Sequence, residues 1–266
     1  MEETTVNTMQ PVRILWLYDD LLDLYGDGGN LSMLRRRMEE MGYPSRLDRR
    51  SLGEPLEDLE DYHLVYLGPG KAANLAKAAG HFTAYAQQVK AAVEAGVVFL
   101  ATGNARLLFG RSFTAPGGQT LEGVGLFDYT GNETGNVFVS DVVAAANIPG
   151  LPRCYGFINR TAHIEGNAGG RGGVLFEVLS GSGDGDPQKE KILPGQRRGE
   201  GNLYQNFFGT WLLGPVLVKN PALCREVLRR VLSRAGLELG PYDDSMEQKA
   251  LDLTLAEIPV QEPAGR

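Results

Sequence analysis

"VVFLATGNARLLFG", residues 97–110, opens with five apolar residues, Val97 to Ala101, and breaks at once into a glycine turn at Gly103-Asn104. An unbroken apolar run of this length reads as a strand covered on both faces, the habit of central strands in parallel sheets. Beyond the turn, the residues up to Gly110 read as a short amphipathic helix. Strand, sharp turn and helix in this order form the elbow on which many hydrolases and amidotransferases mount a serine or cysteine beside free backbone N–H groups. Here the turn carries glycine.

Similar strands precede it. "VRILWLY" (12–18) and "YHLVYLG" (62–68) are apolar runs, and a short strand is expected over 45–48. A helix over about 31–41 presents Leu31, Met33, Leu34, Met38 and Met41, with Gly42 as its C-terminal stop and Asp27 and Asn30 as its caps. The alanine-rich segment 71–96 reads as helical, with an interruption near Gly80. This order predicts an α/β fold: a doubly wound, mostly parallel sheet flanked by helices with right-handed crossovers. Ligands of such sheets sit beyond the carboxyl ends of the strands, where Tyr18-Asp19, Gly68-Pro69-Gly70 and Thr102-Gly103 fall. From about residue 137 the pattern shifts to shorter β-like runs, with glycine-rich surface loops expected at 166–173 and 181–191. Asn220-Pro221 reads as the N-cap and first turn of a helix reaching about Ala235. The expected organisation is a flexible N-terminus over 1–11, one domain over 12–240, and a partly mobile C-terminal extension over 241–266.

Composition narrows the function. The chain has 266 residues, 42% hydrophobic and 22% charged, enough for an ample core. A net charge of -7 argues against nucleic-acid binding, and Arg35-Arg36-Arg37, followed by Glu39-Glu40, reads as a solvated helix face. No apolar stretch is long enough to span a membrane, and "MEETTVNTMQ" is unlike a signal peptide, so the expected location is cytoplasmic. Cys154 and Cys224 read as small buried hydrophobes, and His63, His81 and His163 are too scattered to suggest a metal site.

Five segments in order carry a family resemblance: "LLDLYGDGGNLSMLRRRMEEMGY" (21–43), "YHLVYLGPG" (62–70), "LEGVGLFDYT" (121–130), "YGFIN" (155–159) and "GTWLLGPVLVKNPAL" (209–223). Together they resemble the cobyric-acid-synthase (CobB/CobQ) type of class I glutamine amidotransferase, on the branch of the GatD subunits of lipid II isoglutaminyl synthase. The resemblance runs from about residue 12 to 240. It implies a flavodoxin-like architecture, no cofactor, and a heterodimer with a Mur-ligase-like (MurT-type) subunit. It also implies a chemistry: a cysteine attacks the glutamine amide, a histidine moves the proton, and backbone N–H groups hold the oxyanion.

The resemblance stops at those groups. The family's cysteine falls on Gly103 and its histidine on Leu213, so no catalytic residue is assigned. The middle of the family's glycine triplet is Pro69, which has no N–H to donate. The arginine with which GatD proteins hold glutamine falls near Asn136-Val137. The expected role is therefore that of a structural or regulatory subunit without glutaminase activity. Two alternatives are a working glutaminase through a non-standard site and a sensor of a small, amino-acid-like ligand. Candidate cleft residues are Gly68, Pro69, Gly70, Lys71, Thr102, Asn104, Arg106, Asn159 and His163. The turn at Gly68–Lys71 precedes a helix and could bind an anion. His163 either faces the cleft or is held structurally.

Overall fold

A computed structural model describes residues 9–166, 171–189 and 198–260. The elements in chain order are β1 (Val12–Leu17), α1 (Gly29–Glu40), β2 (Ser45–Arg50), β3 (Leu64–Leu67), α2 (Ala72–Ala84), α3 (Ala86–Glu94) and β4 (Val98–Thr102). Then come β5 (Ser112–Thr114), β6 (Thr120–Glu122), β7 (Tyr129–Ala146), β8 (Arg153–Gly166) and β9 (Phe176–Ser180). The chain continues through β10 (Arg198–Glu200), β11 (Asn202–Tyr204), β12 (Phe207–Thr210), α4 (Val216–Lys219), α5 (Pro221–Arg234) and α6 (Ser245–Glu257).

The first sheet has the order β11-β12-β4-β3-β1-β2, and only β11 runs antiparallel to its neighbour. This is the parallel, doubly wound sheet that the apolar runs predict. Every residue of β3 and β4 is buried, as in strands covered on both faces. Burying each large aliphatic side chain contributes about 1.5–3 kcal/mol, so these short strands anchor the fold. Phe99, Phe109, Phe127 and Phe207 interlock beneath the elbow, with the Phe109 and Phe207 rings 4.7 Å apart edge to face.

Helix boundaries differ from expectation for local reasons. The break in the alanine-rich segment falls at Tyr85, not Gly80: Gly80 lies on the exposed side of α2, whose buried face of Leu75, Ala78, Ala79 and Phe82 continues past it. Thr83 then bonds back to the Ala79 carbonyl at 2.8 Å, which loosens the last turn. The elbow helix is 3₁₀ over Gly103–Phe109. Helix α1 starts at Gly29 without a side-chain cap, and Asp27 and Asn30 turn inward instead. Pro221 opens α5 as expected, but Asn220 does not cap it. Its side chain pairs with Tyr155, accepting from the backbone N–H at 2.7 Å and donating to the carbonyl at 2.6 Å. Arg37 departs from the solvated face assigned to it: only 2% exposed, it pairs with Glu40 at 2.7 Å and with Glu247 of α6 at 2.5 Å.

The short β-like runs become a second sheet, β10-β9-β7-β5-β6, with β8 also paired to β7. Strands β7 and β8 are 18 and 14 residues long, and their register shifts between Glu133 and Phe138. Most of the N-terminal arm, residues 1–8, lies outside the described residues, as do 261–266 at the end of the extension. The glycine-rich loops are partly outside them too.

Candidate functional site

Three strand ends converge on the elbow. β4 ends at Thr102, and Gly103 takes φ +57°, the left-handed turn that an elbow requires. Neighbouring β3 delivers Gly68-Pro69-Gly70, and β12 on the other side delivers Trp211-Leu212-Leu213. A Cβ built on Gly103 would lie 2.7 Å from the Pro69 Cβ and 3.2 Å from the Leu213 Cδ2. The space where an elbow side chain would begin is therefore filled by two apolar side chains. Asn104 closes the turn from above. Its amide accepts from the Gly70 N–H at 2.9 Å and donates to the Gly70 carbonyl at 2.7 Å.

Beneath the elbow lies a carboxyl group that sequence spacing did not connect to it. Asp27, fully buried, accepts from Tyr66 Oη at 2.8 Å, from Asn30 Nδ2 at 3.1 Å and from Thr102 Oγ1. Burial pushes the Asp27 carboxyl above its ordinary range, against the pull of these hydrogen bonds. Thr102 and Asp27 are both sealed from solvent, and neither lines the cleft. The Thr102 hydroxyl is thus committed to the scaffold.

The cleft itself has a volume of about 250 Å³ and opens between the α2 N-terminus, the 21–28 loop and the second sheet. Of the sequence candidates, Pro69, Gly70, Lys71, Asn104 and Asn159 line it. Gly68 sits behind it, where a Cβ would meet the Leu22 carbonyl at 2.5 Å. Arg106 points away: fully buried, it forks onto Asp184 at 2.7 and 2.9 Å and reaches Asn202 at 2.7 Å. His163 is 3% exposed, does not line the cleft, and contacts Glu165 at 3.0 Å through Nε2. Sequence reading missed Tyr25, Glu133, Thr161 and Trp211, which also line the cleft. Tyr25 holds φ +67° and accepts a hydrogen bond from Asn159 Nδ2 at 2.9 Å, bridging the cleft mouth. Among the described residues no group of three or more His, Cys, Asp or Glu side chains could hold a metal ion. No helix among them is long and apolar enough to cross a membrane.

A parallel sheet with an elbow on its central strand fits many enzymes, and sequence comparison separates them. The profile of the CobB/CobQ-like glutamine amidotransferase domain matches residues 13–221. The chain belongs to this family. As a CobB/CobQ-like amidotransferase it is 27% identical, over 242 residues, to the lipid II isoglutaminyl synthase (glutamine-hydrolyzing) subunit GatD of Streptococcus pneumoniae. That match covers 90% of this chain and 88% of the relative. It is also 26% identical over 235 residues to the GatD subunit of Staphylococcus aureus, covering 88% and 90% of the two chains. A solved glutamine amidotransferase superposes with a TM-score of 0.51 at 17% identity, over 85% of this chain and all of that one, which supports the fold. The class I amidotransferase architecture is thus shared by sequence and by structure.

Proposed function

We infer that this CobB/CobQ-like chain is a GatD-like subunit that does not hydrolyse glutamine. It serves as the structural or regulatory partner, in a cytoplasmic heterodimer, of a Mur-ligase-like ATP-dependent ligase that amidates a cell-wall precursor. The observation that carries this reading is the packing of Gly103 against Pro69 and Leu213. Gly103 has no nucleophile, Leu213 cannot move a proton, and Pro69 has no N–H for an oxyanion. The remaining Gly70 N–H is engaged by Asn104. Nucleophile and base are missing from one place and Pro69 offers no N–H beside them, while the five scaffold segments persist around it.

Ammonia release from glutamine by the purified chain, alone and with the co-expressed ligase, tests this directly. The expected rate is at least about a thousandfold below that of a GatD subunit, the loss typical when a nucleophile and its base act as a unit. The chain is expected to co-purify with the ligase. Amidated lipid II formed by the complex with glutamine as sole nitrogen donor would establish the non-standard glutaminase instead.

A further inference from the structure

Helix α6 carries an apolar stripe on its solvent side. It packs on α4 and β8, and among its own residues only Leu251 is buried. The opposite side presents Met246, Lys249, Ala250, Leu253, Ala256 and Glu257, all exposed and spaced to share one helical face. Met246 is 79% exposed and Leu253 62%. Single exposed apolar residues are ordinary, but a stripe in helical register is the mark of a contact surface. The charges in the stripe are placed symmetrically about Leu253. Lys249 lies four residues before it and Glu257 four after, with Ala250 three before and Ala256 three after. Neither Lys249 nor Glu257 has an ion-pair partner among the described residues. Separated by about 12 Å along the helix axis, the two cannot pair with each other. Glu257 also ends a helix whose last turn has no basic residue, so it meets the negative end of the helix dipole uncompensated.

We propose that this face joins two copies of the chain, their α6 helices packed antiparallel about a two-fold axis at Leu253. Leu253 then meets Leu253 of the copy, Ala250 meets Ala256, and Lys249 meets Glu257. An isologous contact repeats every such pair, so both lysines and both glutamates are matched. The small alanines let the helices approach closely beside the central leucines, and each lysine supplies the cation that the copy's last turn lacks. A partner of unrelated sequence gains nothing from charges equidistant from one leucine, whereas a copy requires that symmetry. Two 13-residue helices side by side form a contact at the low end of specific interfaces, below about 1,200 Å². The dimer is therefore weak and concentration-dependent, and each copy keeps the rest of its surface for the ligase proposed above.

The test is sedimentation equilibrium of the full chain at low salt, over concentrations from about 1 to about 500 μM. The parent is expected to pass from monomer to dimer across that range. Leu253→Asp sets two carboxylates against each other on the axis and should weaken association at least about tenfold. Because Leu253 is exposed, this variant should keep the parent's circular dichroism and Tm. Lys249→Glu and Glu257→Lys each turn both ion pairs into like-charge contacts, and each alone should raise Kd about fivefold. The double variant Lys249→Glu/Glu257→Lys restores opposite charges across the axis, and its Kd should return to within about twofold of the parent's. That rescue distinguishes this register from a face that is merely adhesive. The proposal falls if the parent stays monomeric throughout, if Leu253→Asp associates as well as the parent, or if the double variant is not rescued. A monomeric chain whose Leu253→Asp variant no longer co-purifies with the ligase would give this face to the ligase and overturn the proposal as well. Glutamine hydrolysis does not enter these measurements, so their outcome is independent of the function proposed above.

Discussion

At the elbow, single atoms separate a nucleophile site from a packed turn. A cysteine at position 103 would place its Cβ 2.7 Å from Pro69 and would need a side chain at φ +57°. Gly103→Cys is therefore expected to destabilise the chain by about 2 kcal/mol in chemical denaturation, from overpacking and backbone strain together. It should release no ammonia, because Leu213 and Pro69 remain. Pro69→Gly removes the clash, so a double-mutant cycle should show favourable coupling of about 1 kcal/mol between the two changes. Additive changes would mean that Pro69 yields freely. That the elbow turn carries a glycine was legible in the sequence, because the strand and turn fix the register of position 103. The plugging of its space was not, since Pro69, Gly103 and Leu213 are brought together only by the pairing of β3, β4 and β12. The Asp27–Thr102 contact was hidden for the same reason: the two residues are 75 positions apart.

Among the elements, β1, β3 and β4 were the most legible, because a strand buried on both faces leaves an unbroken apolar run in the sequence. Helix α6 left a weaker signal. It buries Leu251 but exposes Met246 and Leu253, so its apolar pattern does not reveal a docking face. Much of what holds it is polar. Arg37 donates to Glu247 and to the Asp243 carbonyl at 2.8 Å, its guanidinium lies 5.0 Å from the Tyr242 ring centroid, and Arg225 pairs with Asp244 at 2.7 Å. Burial opposes the charge of Arg37, but its hydrogen bond to Glu40 and the charges of Glu247 and Glu40 raise its pKa. Arg37→Ala should accordingly cost about 1–3 kcal/mol and speed amide exchange across α6 while leaving β1, β3 and β4 protected. Unchanged exchange in α6 would mean that Leu251 and its neighbours dock the helix unaided.

Across the whole molecule, the two sheets meet at a buried ionic cluster that the sequence did not reveal. The loop at 181–191, expected on the surface, turns Asp184 in its described part inward to Arg106 of the elbow helix. Glu200 and Asn202, on β10 and β11, complete the cluster. One guanidinium thus faces two buried carboxyl groups, and the excess negative charge falls on Glu200. Burial pushes Glu200 up to about 7, Arg106 pulls against that shift, and Asp184 adds to it. Because the folded state holds this proton more tightly than the unfolded chain does, the group's effect on stability has a definite sign. It is neutral below about pH 4.5, grows more destabilising as pH rises to about 7, and is constant above. The full effect is on the order of 3 kcal/mol. Glu200→Gln removes the titrating group while keeping an acceptor for the Trp211 backbone N–H, which donates to Glu200 at 2.6 Å. Denaturation at several pH values should therefore show Glu200→Gln gaining on the parent between pH 4.5 and 7 and keeping a fixed offset above. The offset below pH 4.5 reports the altered hydrogen bond from the Thr210 hydroxyl, now 2.8 Å from Glu200, and the change between pH 4.5 and 7 reports the proton. Parallel curves through that window would place the excess charge elsewhere in the cluster. Arg106→Met, which leaves both carboxyl groups without their cation, should cost about 3–5 kcal/mol at pH 8 and less at pH 5, where Glu200 carries a proton.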